Sequence, residues 1–113
     1  DAEGRTVPYQ VVQRWAAEHS LLPDGSFWID RVHHGNLASV TVSELAQGRS
    51  AGLLARAILR EGRTPVSLPV VPTTQGQPAI SLARARQLGI QVSSSLLLSA
   101  EVVRHFAWAT GAP

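Results

Sequence analysis

Apolar residues recur at helical spacing in several stretches of this chain, with short β-branched or proline-punctuated runs between them. Val12, Trp15, Ala16 and His19 fall on one side of residues 11–22 and leave Arg14 and Glu18 for water, which predicts an amphipathic helix. Ahead of it, Thr6, Val7 and Tyr9 favour strand and Pro8 lacks a donor, so residues 5–10 read as extended. Pro23-Asp24-Gly25 reads as the turn that closes the helix, because proline presets one φ and glycine accepts a positive one. Residues 27–32 fit either a short strand or an irregular segment, and His33-His34-Gly35-Asn36 fits a loop.

The stretch Leu37 to Val42 reads as a buried strand. Ser43 is placed to cap a helix over 44–60, with Glu44 against the positive end of its dipole. Leu45, Gly48, Gly52, Ala55 and Leu59 step by three or four, so their small members would let this helix lie close to a sheet while Arg49, Arg56 and Arg60 face water. Gly62 then supplies a left-handed stop, followed by Pro65. Leu68 to Pro72 reads as extended and Gln75 to Pro78 as a turn. After extended Ala79-Ile80, Ser81 caps a short helix over 82–88 that ends at Gly89. Ile90 to Val92 is an extended link, and Ser93 or Ser94 caps a last helix running to about Trp108. Strand and helix alternate, which predicts an α/β fold: three layers around a mainly parallel sheet, in a single domain over residues 1–113.

Composition narrows the function. With 113 residues the chain can form one core but not two lobes with a cleft, so it reads as one lobe of something larger. All ten cations are arginines, spread among apolar segments without aromatic interleaving, which argues against a nucleic-acid partner. Having no cysteine excludes disulfides, thiolate metal sites and a cysteine nucleophile. The start DAEGRTVP lacks the basic and apolar parts of a signal peptide, and the missing methionine agrees with a processed or excised chain. No nucleophile elbow, phosphate-cradling glycine loop or paired carboxylates are present, so no catalytic residue is assigned and no cofactor is implied. Adjacent His33 and His34 diverge on any regular backbone, and no spaced ligand pattern joins them to Asp30 or His19, so no metal site is assigned.

Two stretches resemble the ABC-transporter substrate-binding proteins with a type I periplasmic-binding fold, in the branch that includes aromatic amino-acid binders. The first is Gly35-Asn36-Leu37-Ala38-Ser39-Val40, then Gln47-Gly48-Arg49 and the helix end Ile58-Leu59-Arg60-Glu61-Gly62, with Leu68-Pro69-Val70 after it. The second is Ile80-Ser81-Leu82-Ala83-Arg84-Ala85-Arg86-Gln87-Leu88-Gly89-Ile90, followed by Leu96-Leu97-Leu98-Ser99-Ala100-Glu101-Val102-Val103. The resemblance covers residues 35–103 well and implies the C-terminal lobe of a periplasmic or extracellular solute-binding protein that is not an enzyme. Its implied partners are a small organic ligand, an amino acid among the candidates, and a membrane permease. Continuation through His105-Phe106-Ala107-Trp108 past the family's usual end fits instead the outer sensing domain of a membrane receptor. A lone lobe would also expose the surface it normally buries and could pair with itself as a homodimer.

Polar ligands gather where parallel strands end, because loop N–H groups and helix N-termini converge there. The residues so placed are Tyr9 and Gln10 after the first strand, and Ser39, Thr41 and Ser43 at the second. Each has a plain alternative, Ser43 as a helix cap and Tyr9 as a half-buried aromatic. Of the tryptophans, Trp28 is assigned to ligand contact by its irregular segment, and Trp15 to packing by its apolar helix face.

Overall fold

The computed structural model describes residues 1–70, 72 and 75–109. Two compact units divide the chain: Asp1–Thr41 together with the chain from Pro78, and Val42–Gln77.

The first unit carries a four-stranded α/β sheet, mainly parallel, in the order β1 (Gly25–Ser26), β2 (Ala38–Thr41), β3 (Gln77–Ser81), β4 (Glu101–Val103). Strands β1 and β2 run parallel with Gly25 beside Ala38, and β3 and β4 run parallel with Ile80 beside Val102. Between the central strands, Ser81 N–H donates to Leu37 O at 2.7 Å, setting the end of β3 beside the start of β2. Around the sheet lie α1 (Tyr9–His19), α2 (Ile29–His33), α4 (Leu82–Leu88) and α5 (Ser94–Ser99). Val32 of α2 is wholly buried against Ala79 of β3 and Val103 of β4, with Ile29 beside them.

The extended segment expected over residues 5–10 is instead the approach to α1. Pro8 is its N-cap residue with φ −57°, where a missing donor costs nothing, and Tyr9 and Gln10 form its first turn. The inner side of α1 is also not the one its hydrophobicity marks. Ala17 is buried whereas Trp15 is 61% exposed with its ring stacked on His19. The reason is close approach: Gly35, at φ +123°, leaves room for backbone against Gln13 and Ala17, which a bulky side chain would prevent.

Gly25 is a strand residue and takes no positive φ, so the expected turn at 23–25 is replaced by other contacts. Ser20 N–H donates to Ala16 O, and Leu22 N–H donates to Ser20 Oγ at 3.2 Å. The guanidinium of Arg84, 2% exposed, then donates to Ala17 O at 2.7 Å, Ser20 O at 3.0 Å and Leu22 O at 3.3 Å. A buried arginine on α4 therefore takes up carbonyls at the end of α1 that the helix itself leaves unpaired.

Gln77 and Pro78, expected in a turn, open β3. The long terminal helix is likewise replaced. Ser93 caps α5 by accepting from Leu96 N–H, but Ser99 Oγ donates back to the carbonyls of Ser95 and Leu96 and Ala100 turns extended. Glu101 to Val103 then pair with β3, where β-branched Val102 and Val103 fit better than in a helix.

The serine cap of α4 is as expected. Ser81 Oγ accepts from Arg84 N–H at 3.0 Å in complete burial, and Gly89 ends the helix at φ +68°. Ser81→Ala is expected to lower unfolding free energy by about 1 kcal/mol, as loss of a serine cap does. Urea denaturation measures this, and an unchanged midpoint would show the cap to be idle.

In the second unit, α3 (Glu44–Leu59) starts at Ser43, whose Oγ accepts from Ala46 N–H at 3.3 Å. It is followed by Gly62 at φ +68° and by Arg63 N–H donating back to Ala57 O. Among the described residues, nothing lies within 4 Å of a Cβ placed on Gly48 or Gly52, and no residue of α3 is buried.

Candidate functional site

Strand β1 is two residues long, and the chain beyond it is held at the surface. Ser26 Oγ donates to Trp28 O at 3.0 Å, and Trp28, extended at φ −126°, is the N-cap residue of α2. Phe27 and Trp28 are therefore exposed, at 82% and 63%. Beneath Phe27 the sheet forms an open recess of about 420 Å³ whose apolar walls come from Phe27, Val40 of β2, Pro78 and Ile80 of β3, and Leu96 of α5. Gly25 of β1, Ala38 of β2 and Ala79 of β3 complete it.

Among the described residues, no titratable side chain lines this recess. Ser26 and Ser39 contribute to its lining, and Ser39, 4% exposed, has a hydroxyl with no hydrogen-bond partner among the described residues. Such a surface holds the apolar body of a solute by removing it from water, at about 25 cal/mol per Å² of area covered. Any charge on that solute must be met by other groups.

Of the six residues expected to bind ligand, the five in the first unit do not line one recess. Ser39 lines the recess, and Trp28 follows Phe27 directly but points its surface to solvent rather than forming a wall. Thr41 ends β2 half-buried and outside the lining. Ser43 belongs to the other unit, where its side chain caps α3. Tyr9 and Gln10 do not follow a strand, since none precedes them; they border a different recess of about 510 Å³ with Arg14, Asp30, His34 and Trp108.

Phe27, Val40, Pro78, Ile80 and Leu96 were not expected at a site. Strand β1 is too short to show alternation, so nothing in the sequence marks Phe27 as the end of a strand. Leu96 falls within the expected last helix but beside its apolar stripe, which begins at Leu97, and that helix is oriented by tertiary contacts. The exposure of Phe27 and Val40 is the signal, and burial is not written in a single sequence.

His33 Nε2 lies 3.9 Å from Glu101, and His34 Nδ1 lies 3.6 Å from Asp30. No group of three or more metal-ligating side chains is found among the described residues. Among the same residues, no helix is long and apolar enough to cross a membrane.

Residues 27–104 match the model of the family described as ABC transporter substrate binding protein. No curated protein matches the chain. Among solved structures, it is similar to a conserved domain protein from Vibrio cholerae O1 biovar El Tor, at 28% identity over 80% of this chain with a TM-score of 0.63. It is also similar, at 27% identity over 80% of this chain and with a TM-score of 0.63, to the ABC domain from Streptococcus pneumonia in complex with L-Trp. The chain spans 30% of the first of these structures and 31% of the second.

Proposed function

Because the chain belongs to the ABC transporter substrate-binding protein family, a class of binding proteins and not of enzymes, we propose that it forms part of an extracytoplasmic solute-binding protein serving ABC-type uptake. Its ligand is a small organic solute with an apolar, ring-sized body, of which L-tryptophan is the model. The observation that carries this reading is the uncharged recess under Phe27, an apolar seat next to the end of a parallel strand. The similar pneumococcal domain in complex with L-Trp supports the choice of ligand.

The mechanism follows from what the recess lacks. An amino acid brings an ammonium and a carboxylate, and burying either without a partner is costly. The apolar part is held here, while the charged ends are met by portions of the protein that this chain, which covers 30–31% of its similar structures, does not supply. Closing those portions over the seated solute excludes water from both sets of contacts and presents the closed form to a membrane permease. In this scheme the segment reads shape and apolar area, and the rest of the protein reads charge.

Isothermal titration with L-tryptophan tests the reading. We expect saturable binding by the wild-type protein and a loss of about ten-fold or more in Phe27→Ala, which removes one aromatic wall. Phe27 is 82% exposed, so the variant should fold. Absence of saturable heat, or equal affinity in Phe27→Ala, would remove the recess from the binding site.

A further inference from the structure

The second recess, that of Tyr9 and Gln10, has the chemistry that the first lacks. From the geometry we infer that it is a separate binding site for a small zwitterion with an aromatic body, the class of a free aromatic α-amino acid.

Its walls are aromatic and its rim carries both signs of charge. Trp108 is stacked on Phe106 with ring centroids 4.5 Å apart and a 13° tilt, which fixes the indole plane. Tyr9 is fixed in turn, with its ring edge-on to His34 at 5.7 Å and Arg31 over one face at 4.0 Å. Arg14 lies 5.6 Å from the centre of the Trp108 ring. Its Nε is engaged by Glu18 Oε1 at 2.8 Å, while its two terminal nitrogens have no hydrogen-bond partner among the described residues. A carboxylate can be bound by those nitrogens without breaking the Glu18 contact. Asp30 lies on α2 at the same recess, its Oδ1 3.6 Å from His34 Nδ1 and its side chain 59% exposed. It offers an anion to an ammonium.

Rigid rings, one arginine with open donors and one accessible carboxylate match the three parts of an aromatic amino acid, and a volume of about 510 Å³ admits one such molecule. Tyr9, Gln10, Arg14 and Trp108 lie outside the family-matched residues 27–104, whereas Asp30 and His34 fall within them.

Two-dimensional NMR of the 15N-labelled protein tests this, because three tryptophans give three indole N–H resonances and Trp108→Phe assigns one. The probe is L-phenylalanine up to about 10 mM, the range of a weak single-solute site, in a Phe27→Ala background that disables the first recess. We expect the Trp108 indole resonance to shift saturably. Arg14→Gln should weaken L-phenylalanine about ten-fold while leaving its methyl ester, which has no carboxylate, unchanged. Asp30→Asn should weaken both and leave 3-phenylpropionate, which has no ammonium, unchanged. Both replaced side chains are more than half exposed, so both variants should fold. A Trp108 resonance that does not move, or equal affinity in both variants, overturns the inference. A shift at Trp28 alone overturns it too, and such results leave the L-tryptophan titration of the first recess standing as a separate question.

Discussion

Arg84→Met is expected to cost the protein about 3–5 kcal/mol, the largest loss for any single side chain in the sheet-bearing unit. Methionine keeps much of the apolar stem but none of the donors. The buried carbonyl of Ala17 would lose its partner where water reaches poorly, at about 1–3 kcal/mol, and the part-buried carbonyls of Ser20 and Leu22 would lose theirs at a smaller cost. Gln87 Oε1, which accepts from the same guanidinium at 3.1 Å, would be released as well. Asp24 lies 3.9 Å from Arg84 Nε, and its Oδ1 accepts from Leu37 N–H at 3.0 Å while its own carbonyl accepts from Ala38 N–H. Losing the cation therefore loosens the connection through which β1 meets β2. For a domain of this size each kcal/mol is worth about 4–8 °C in Tm, so the variant should melt more than about 10 °C lower. Arg84→Lys should recover less than half of the loss, since one ammonium cannot span carbonyls of three residues as a planar fork does. Urea and thermal denaturation give both numbers, and a loss under about 1 kcal/mol would mean that the carbonyls find water instead.

Gly35→Ala should cost about 3 kcal/mol. A φ of +123° is one that side-chain-bearing residues rarely adopt, worth about 1–3 kcal/mol of strain. The new methyl would also stand 3.0 Å from Ala17 Cβ, 3.1 Å from Gln13 O and 3.2 Å from Trp108 Cη2. The Gln13 carbonyl is helix backbone and cannot yield without moving α1. Gly48→Ala supplies the opposite sign in the same chemistry: in α3 a methyl meets nothing within 4 Å among the described residues, so removing glycine's helix penalty should stabilise by about 0.5–1 kcal/mol. Denaturation midpoints of the pair decide the matter. Similar small effects in both would show that position 35 is not tightly packed.

The parts of this fold that could be read from the sequence are those governed locally. α3 begins where Ser43 offers a cap and ends within a residue of expectation, and Ser81 and Gly89 bracket α4 as a cap and a left-handed glycine should. What could not be read is what distant partners decide. Pro8 is equally at home before a strand or at the start of a helix, and α1 took the second. Leu97, Ala100 and Val103 step at helical spacing, yet pairing with Ala79 to Ser81 drew Glu101 to Val103 into the sheet. The site divides along the same line. Ser39 lies on a strand that the sequence makes legible and lines the first recess, whereas Tyr9 and Gln10, expected after a strand, open α1 and line another recess. Nothing in the sequence sets Arg84 apart from the other arginines, because only the folded chain shows that α1 ends against it.

Strands β2 and β3 are neighbours in the sheet, yet the whole stretch Val42–Gln77 leaves and returns between them. Bringing the ends of such an excursion together costs about 2 kcal/mol more in chain entropy than closing a four-residue turn. The central pairing is therefore among the later steps open to the folding chain, while β1–β2 and β3–β4, joined through shorter connections, can form first. The modest size of that cost also means that the excursion is cheap to lengthen or replace. A sheet that holds its strands by Arg84, Asp24 and the Ser81–Leu37 hydrogen bond can carry a different second unit without changing its own register.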